Sequence, residues 1–224
     1  MNEQNIIYND IILENNKKYK ITNMEKTKKV LLINTHLTYP NWSEGKLNNA
    51  FHQVAKDFFI SNSFQVLETI VEDNYSPEEE VEKHMEADIV ILQTPVNWFG
   101  APWIYKKYVD EVFNSGLLSQ KFLSGDGRTR SDLTKQYGSG GNMQGKKFMI
   151  CATWNAPAEA FDNPDQQLLR GKTTADLFLN ISSNYRFCGY EILPGYNCFD
   201  IFKSGDIAKD LENYPGHLAA ACNL

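Results

Sequence analysis

Gln93-Thr94-Pro95-Val96-Asn97-Trp98-Phe99-Gly100-Ala101-Pro102-Trp103 is the stretch that decides how this chain folds. The apolar run Ile89-Val90-Ile91-Leu92 leads into it and reads as a strand buried on both faces. A helix leaves it, with Pro102 predicted at the first helical position, where a missing N–H costs nothing. Between strand and helix stand two large aromatics, one glycine and a proline on each side. A loop at the carboxyl end of a central strand is where open α/β sheets take their ligands. Trp98 and Phe99 offer a surface suited to a flat, conjugated molecule. The competing reading is a plug for the sheet end or an oligomer contact.

Working outward, the same strand–helix alternation recurs. Val30 to Ile33 reads as a first buried strand, and Lys46 to about Ser61 as a helix with Leu47, Ala50, Phe51, Val54, Phe58 and Phe59 on one side. Phe64 to Val71 alternates as a second strand. Ser76-Pro77-Glu78-Glu79-Glu80 is a helix start, with Ser76 as cap and acids in the first turn. The third strand spans Asp88 to Gln93, and its helix, Trp103 to Asn114, buries Ile104, Tyr105, Tyr108, Val109 and Val112. Lys147 to Ala152, Thr174 to Phe187, Glu191 to Tyr196 and Asp206 to Ala221 continue as strand, helix, strand and helix. Such alternation predicts right-handed crossovers and an α/β fold, a parallel sheet with helices on both faces. Five strands fit the flavodoxin-like order 2-1-3-4-5, with a ligand site between strands one and three.

The chain has 224 residues, enough for one well-buried domain. Residues 1–28 are polar and read as an appended segment, flexible or forming a small hairpin from Ile11-Ile12-Leu13 and Tyr19-Lys20-Ile21. The domain proper is expected over 29–224. A net charge of -6 argues against a nucleic-acid partner, and no apolar run approaches the roughly 18 residues of a membrane span. Met1 to Lys28 resembles neither a secretory nor a transit peptide, so the expected location is cytoplasmic. Cys151, Cys188, Cys198 and Cys222 form no C-x-x-C pair and read as free thiols. The four histidines show no metal-ligand spacing, and no G-x-S-x-G elbow occurs, so zinc and serine-hydrolase chemistry have no support.

Three loops should meet at the carboxyl edge. The first, Asn34-Thr35-His36 through Ser43-Glu44-Gly45 to the helix at Lys46, supplies hydroxyls and a helix N-terminus suited to a phosphate. An ordinary strand–helix loop capped by Ser43 is the alternative. The second loop, Val96 to Phe99, could give a flavin ring system both an apolar wall and backbone N–H groups for the negative charge of its reduced form. The third is Thr153-Trp154-Asn155-Ala156-Pro157, completing the pocket or forming a plain turn. About thirty residues between Ser115 and Gly145 lack periodicity; a connection that long is usually functional. Its Gly125 to Arg130 and Gly138 to Gly141 clusters match no dinucleotide motif and read as flexible. Tyr137 beside them is free to bond a cofactor or substrate, or merely to pack.

At these residues the chain resembles a known family. Trp98-Phe99-Gly100-Ala101-Pro102-Trp103, Lys106-Lys107-Tyr108, Asp126-Gly127-Arg128-Thr129-Arg130, Lys135 to Gly141, Gln144 to Lys147 and Thr153 to Pro157 look like the modulator of drug activity B proteins. These are bacterial NAD(P)H:quinone reductases of the flavodoxin-like fold, more distantly related to DT-diaphorase. The match runs from about Lys29 to the C-terminus. It implies bound FAD, a homodimer, and two-electron reduction of a quinone by NAD(P)H. Residue by residue, it implies that Ser43, Gly45, Lys46, Leu47, Asn48 and Ala50 contact the flavin phosphates and ribityl chain. Val96, Asn97, Trp98 and Phe99 would line the ring, and Tyr137, Thr153, Trp154, Asn155 and Ala156 supply the remaining contacts. Tyr137 is the catalytic candidate, orienting or protonating the quinone oxygen. This chain departs from the family at Val96-Asn97, where a Gly-Trp pair is common, and in its first loop, where Thr35-His36-Leu37 and Trp42 stand. Related flavoproteins that reduce nitroaromatic or azo compounds, and single-electron carriers of the flavodoxin type, are the rival expectations.

Overall fold

The computed structural model describes residues 27–224; the reading of the residues before Thr27 lies outside it. A parallel sheet forms the middle layer, in the order β2-β1-β3-β4-β5, as expected. Its strands are β1 (Lys29–Asn34), β2 (Gln65–Ile70), β3 (Ile89–Pro95), β4 (Lys147–Thr153) and β5 (Glu191–Ile192). Helices α1 (Lys46–Ser61) and α6 (Ile207–Cys222) cover one face, packing Phe51, Phe59, Tyr214 and Leu218 on Leu32, Ile91 and Met149. Helices α2 (Pro77–Glu86), α3 (Trp103–Leu118) and α5 (Leu179–Cys188) cover the other, burying Val81, Tyr108, Val112 and Tyr185 against Leu31, Val90 and Phe148. Strands enclosed on both faces need unbroken apolar runs, and Val30 to Ile33 and Ile89 to Leu92 are that.

Local chemistry sets the element ends. Ser76 caps α2 by accepting from the Glu79 N–H, with Pro77 following as the first helical residue. Pro102 sits one place earlier than its sequence suggests. Its ψ of 151° is extended, so it flanks α3 and Trp103 is the first helical residue. Ser43 does not cap α1; Gly45 does, in the left-handed conformation and with no side-chain hydrogen bond.

Two expected elements are broken. The expected helix from Thr174 to Phe187 divides into α4 (Thr174–Leu177) and α5 at Phe178, whose side chain is drawn into a cluster with Trp154. The expected fifth strand divides into β5 and β6 (Tyr196–Cys198), both paired with β4. Pro194 between them has no N–H to give the ladder. A side chain at Gly195 would lie 2.9 Å from the Ile150 carbonyl.

Candidate active site at the carboxyl edge

The second loop shows the least ordinary backbone in the molecule. Asn97 and Gly100 exchange both backbone hydrogen bonds, at 2.8 and 3.2 Å, across Trp98 and Phe99. Trp98 has φ 50° and Phe99 φ 65°, the paired left-handed values of a type I′ turn. Such turns favour Asn-Gly; a bulky residue held there costs roughly 1–3 kcal/mol. The strain does not serve burial, since Trp98 is 90% and Phe99 46% exposed. Val96 and Asn97 give their N–H groups to Thr153 and Gly100. The N–H groups of Trp98 and Phe99 make no hydrogen bond among the described residues.

The first loop leaves β1 next door. Tyr39 and Ser43 close a tight turn, with Asn41 at φ 63° and Trp42 exposed. Gly45 is buried at φ 76°, and a side chain there would strike the His36 ring 2.3 Å away. The uncapped N–H groups of Lys46, Leu47 and Asn48 begin α1 immediately after this glycine. His36 is 95% buried, and its Nε2 edge faces Gly45. Neither ring nitrogen makes a hydrogen bond of ordinary geometry. Burial pushes its pKa below the usual histidine value, against the opposing pull of Glu72 and the Ser43 carbonyl. A polar lattice holds the base of this corner. Asn34 bonds Asn49 at 2.9 Å and Gln93 bonds Asn48 at 2.8 Å, while the His36 N–H donates to Asn34 at 3.0 Å. Gln93 Oε1 and Thr153 Oγ1 are also buried without partners.

Of the sequence-expected contacts, Ser43, Gly45, Lys46, Leu47, Asn48 and Ala50 come together at the start of α1, and Val96 to Phe99 stand across from them. Thr153 to Ala156 lie beside Val96 through the Val96–Thr153 bond. Trp154 itself faces inward, 1% exposed, against Phe161, Phe178 and Phe199, with its N–H on Asn197 at 2.9 Å. Only its backbone borders the edge. Lys46 is exposed and ion-paired with Glu44 at 2.7 Å.

Tyr137 is elsewhere. Its ring packs 5.1 Å from Phe187 in the last turn of α5, with the Arg128 guanidinium 5.4 Å from its centroid. That turn ends at the amino edge, so within one chain a seven-residue strand, about 23 Å, separates Tyr137 from Trp98. The surrounding connection is a tied loop, closed by the Leu123–Gly141 bridge and the Ser124–Gly140 and Gly138–Asp126 bonds. Three of its glycines serve close packing rather than the flexibility their sequence suggested. Side chains at Gly127, Gly140 or Gly141 would come within 2.2 Å of Ser139, Gly125 or Cys188.

With the geometry in view, the comparisons are decisive for the family. A family model described as the flavodoxin-like fold matches residues 28–220. The chain belongs to the flavodoxin-like fold family. Among relatives of this flavodoxin-like chain is the NADPH:quinone oxidoreductase MdaB of Haemophilus influenzae. It is 38% identical over 176 residues, 79% of this chain and 90% of that protein. A solved structure from Klebsiella pneumoniae, suggested to be a quinone reductase, superposes with a TM-score of 0.66 at 20% identity, covering 88% of this chain and 84% of that one. General stress protein 14 of Treponema denticola, solved with FMN, gives 0.57 at 16% identity, covering 88% and 98%. At these identities the two structures show the shared fold. No helix among the described residues is long and apolar enough to cross a membrane.

Sequence reasoning passed over His36 and Gln93 as site residues. A histidine two residues beyond a buried strand and nine before a lone loop glycine was the available signal; that the two touch needed the fold.

Proposed function

We propose that this chain is an NAD(P)H:quinone oxidoreductase that holds FAD at the carboxyl edge of its sheet and works as a homodimer. The strained, exposed Trp98-Phe99 turn carries the reading, because backbone strain of this kind persists where function requires it. The residues present fit a flavin nucleotide. The free N–H groups at the start of α1, with buried His36 Nε2 beside them, suit its phosphates. Thr153 Oγ1 and the Trp98 and Phe99 N–H groups offer donors to the ring's polar edge. The 38% identical MdaB relative supports the substrate class.

A bound flavin supplies, at its N5, the hydride acceptor and donor that couples reduced nicotinamide to a quinone in two half-reactions. The chain's own part is positioning and charge. Trp98 presents an open face on which flat substrates stack, and the adjacent N–H groups are fixed before charge develops, so they need no reorganisation. Tyr137 lies too far away to act within its own chain. In a two-fold dimer it reaches the site of the second copy, where its hydroxyl orients the quinone oxygen. No side chain acts as a covalent nucleophile; the four thiols are buried and burial raises the pKa of each.

The test is the visible spectrum of the purified protein, the mass of its released chromophore, and NADPH oxidation with menadione. FAD and rapid quinone-dependent oxidation are expected. FMN as the chromophore would correct the cofactor alone. Protein that stays colourless after reconstitution with both nucleotides refutes the reading.

A further inference from the structure

The connection after β4 carries a feature that the quinone-reductase reading leaves unused. Of the chain's four arginines, Arg170 alone lies at the carboxyl edge; Arg128 and Arg130 belong to the tied loop opposite, and Arg186 to the last turn of α5. Residues 162–172 form a closed turn, held by Asp162 to Lys172 at 3.2 Å, Gly171 to Asn163 at 2.9 Å and Arg170 to Gln166 at 3.0 Å. The segment leading into it is anchored to the site. Thr153 bonds Val96, and Asp200 bonds Ala156. Phe161 packs on Trp154.

Within that turn Arg170 has φ 49° and Gly171 φ 78°. The left-handed region is costly for a long side chain, yet no apolar contact is gained there, since Arg170 is exposed. Its Nε donates weakly to the Gln167 carbonyl at 3.4 Å, and its two terminal amino groups make no hydrogen bond among the described residues. It makes no ion pair among the described residues. Of the other cations, Lys46 pairs with Glu44, and Lys172 and Lys203 lie near enough to Asp176 and Asp200 to help hold those carboxyls below the usual range; all three are single ammonium groups. Asp162 and Asp165 in the same turn repel any anion that does not reach the guanidinium directly.

A forked, unpaired guanidinium fits a phosphate bidentately, which an ammonium cannot do. The two nicotinamide coenzymes differ by one such group. We infer that Arg170 binds the 2′-phosphate of NADPH and so selects NADPH over NADH. This rests on the proposed oxidoreductase reading, and it names the residue that chooses the reductant.

Arg170→Asn is the decisive variant, because asparagine tolerates the left-handed conformation while removing the charge. Steady-state kinetics with NADPH and NADH should show kcat/KM for NADPH falling by about 10- to 100-fold through KM, with NADH unchanged. Arg170→Lys should keep part of the preference. Calorimetric titration with 2′,5′-ADP and 5′-AMP gives a readout independent of turnover. The wild type should bind 2′,5′-ADP about 10- to 100-fold tighter than 5′-AMP, and the Asn variant should not. A wild type indifferent to the 2′-phosphate in both assays, or an Asn variant that keeps the preference, overturns the inference while quinone reduction stands. Protein that oxidises neither coenzyme refutes the oxidoreductase reading instead, and the titration then judges Arg170 by itself.

Discussion

The two edges of the sheet carry different kinds of backbone. Nine non-glycine residues among those described have positive φ. Ser63, Gln120 and Asn223, on the amino-edge side, each follow the last turn of a helix, where a left-handed residue is an ordinary stop. Asn41, Trp98, Phe99, Asp162, Arg170 and Asp200 stand in carboxyl-edge loops and end no helix. Capping differs within the carboxyl edge itself, where the helices that follow the parallel strands begin. Helices α2, α4 and α6 begin with side-chain caps from Ser76, Thr173 and Asp206, whereas α1 and α3, which follow β1 and β3, begin without one, as does α5 at the α4–α5 break. The amino edge carries ordinary helix stops; the carboxyl edge holds strained loops and, at α1 and α3, unspent donors.

The amino-edge half should break first in acid. His84, in the last turn of α2, is fully buried between the hydroxyls of Tyr190 and Tyr108, each at 3.1 Å. Burial, with Lys146 and Lys83 adding to it, depresses its pKa to about 3. The ring stays neutral in the fold but takes a proton near pH 6.5 once unfolded. The unfolded chain thus binds the extra proton between these values, and stability falls as pH drops from about 6.5 toward 3. The slope is at most about 1.4 kcal/mol per pH unit, roughly 4–5 kcal/mol in all. Urea midpoints across that range should show it, and His84→Gln should flatten the difference while lowering stability at neutral pH.

A pair of glycines sharpens the contrast. Gly45→Ala must hold φ 76° and displace the His36 ring, costing roughly 2–4 kcal/mol and the flavin site with it. Gly145→Ala, at φ 82° with nothing within 4 Å, should cost about 1 kcal/mol and leave flavin content intact. Equal losses would remove the special role given to the first loop. Thermal melts and flavin-to-protein ratios decide it.

Trp98→Gly should stabilise the flavin-free protein by about 1 kcal/mol, since glycine accepts φ 50° freely and an exposed ring loses little burial. The same variant should bind flavin more weakly. A lowered melting temperature would show that the turn is not strained for function. The smallest effect is expected of Tyr137→Phe, a loss of quinone turnover of roughly tenfold, about 1.4 kcal/mol, with flavin retained. Unchanged turnover would leave Tyr137 a packing residue.

Much of this contrast could be read from residue order. The apolar runs from Val30 and Ile89, the Ser76-Pro77 start and the alternation of elements define the sheet, because each acts over a few neighbouring residues. That three loops share the carboxyl edge followed from topology. What escaped depended on contacts distant in sequence or against local preference. Aromatics favour extended backbone, so nothing local announces Trp98 and Phe99 in a type I′ turn. Trp154 reads equally well as wall or core until Phe161, Phe178 and Phe199 close around it. Tyr137 neighbours the flavin loops only by family likeness; the path of α3 carries it to the opposite edge.

Titration of the cofactor-stripped protein with FAD, FMN and riboflavin, followed by quenching of flavin fluorescence, bears most directly on what the carboxyl edge is for. Tight binding of FAD, with riboflavin weaker because it lacks the phosphate held at α1, is the expected result. Failure of all three to bind folded protein would contradict it.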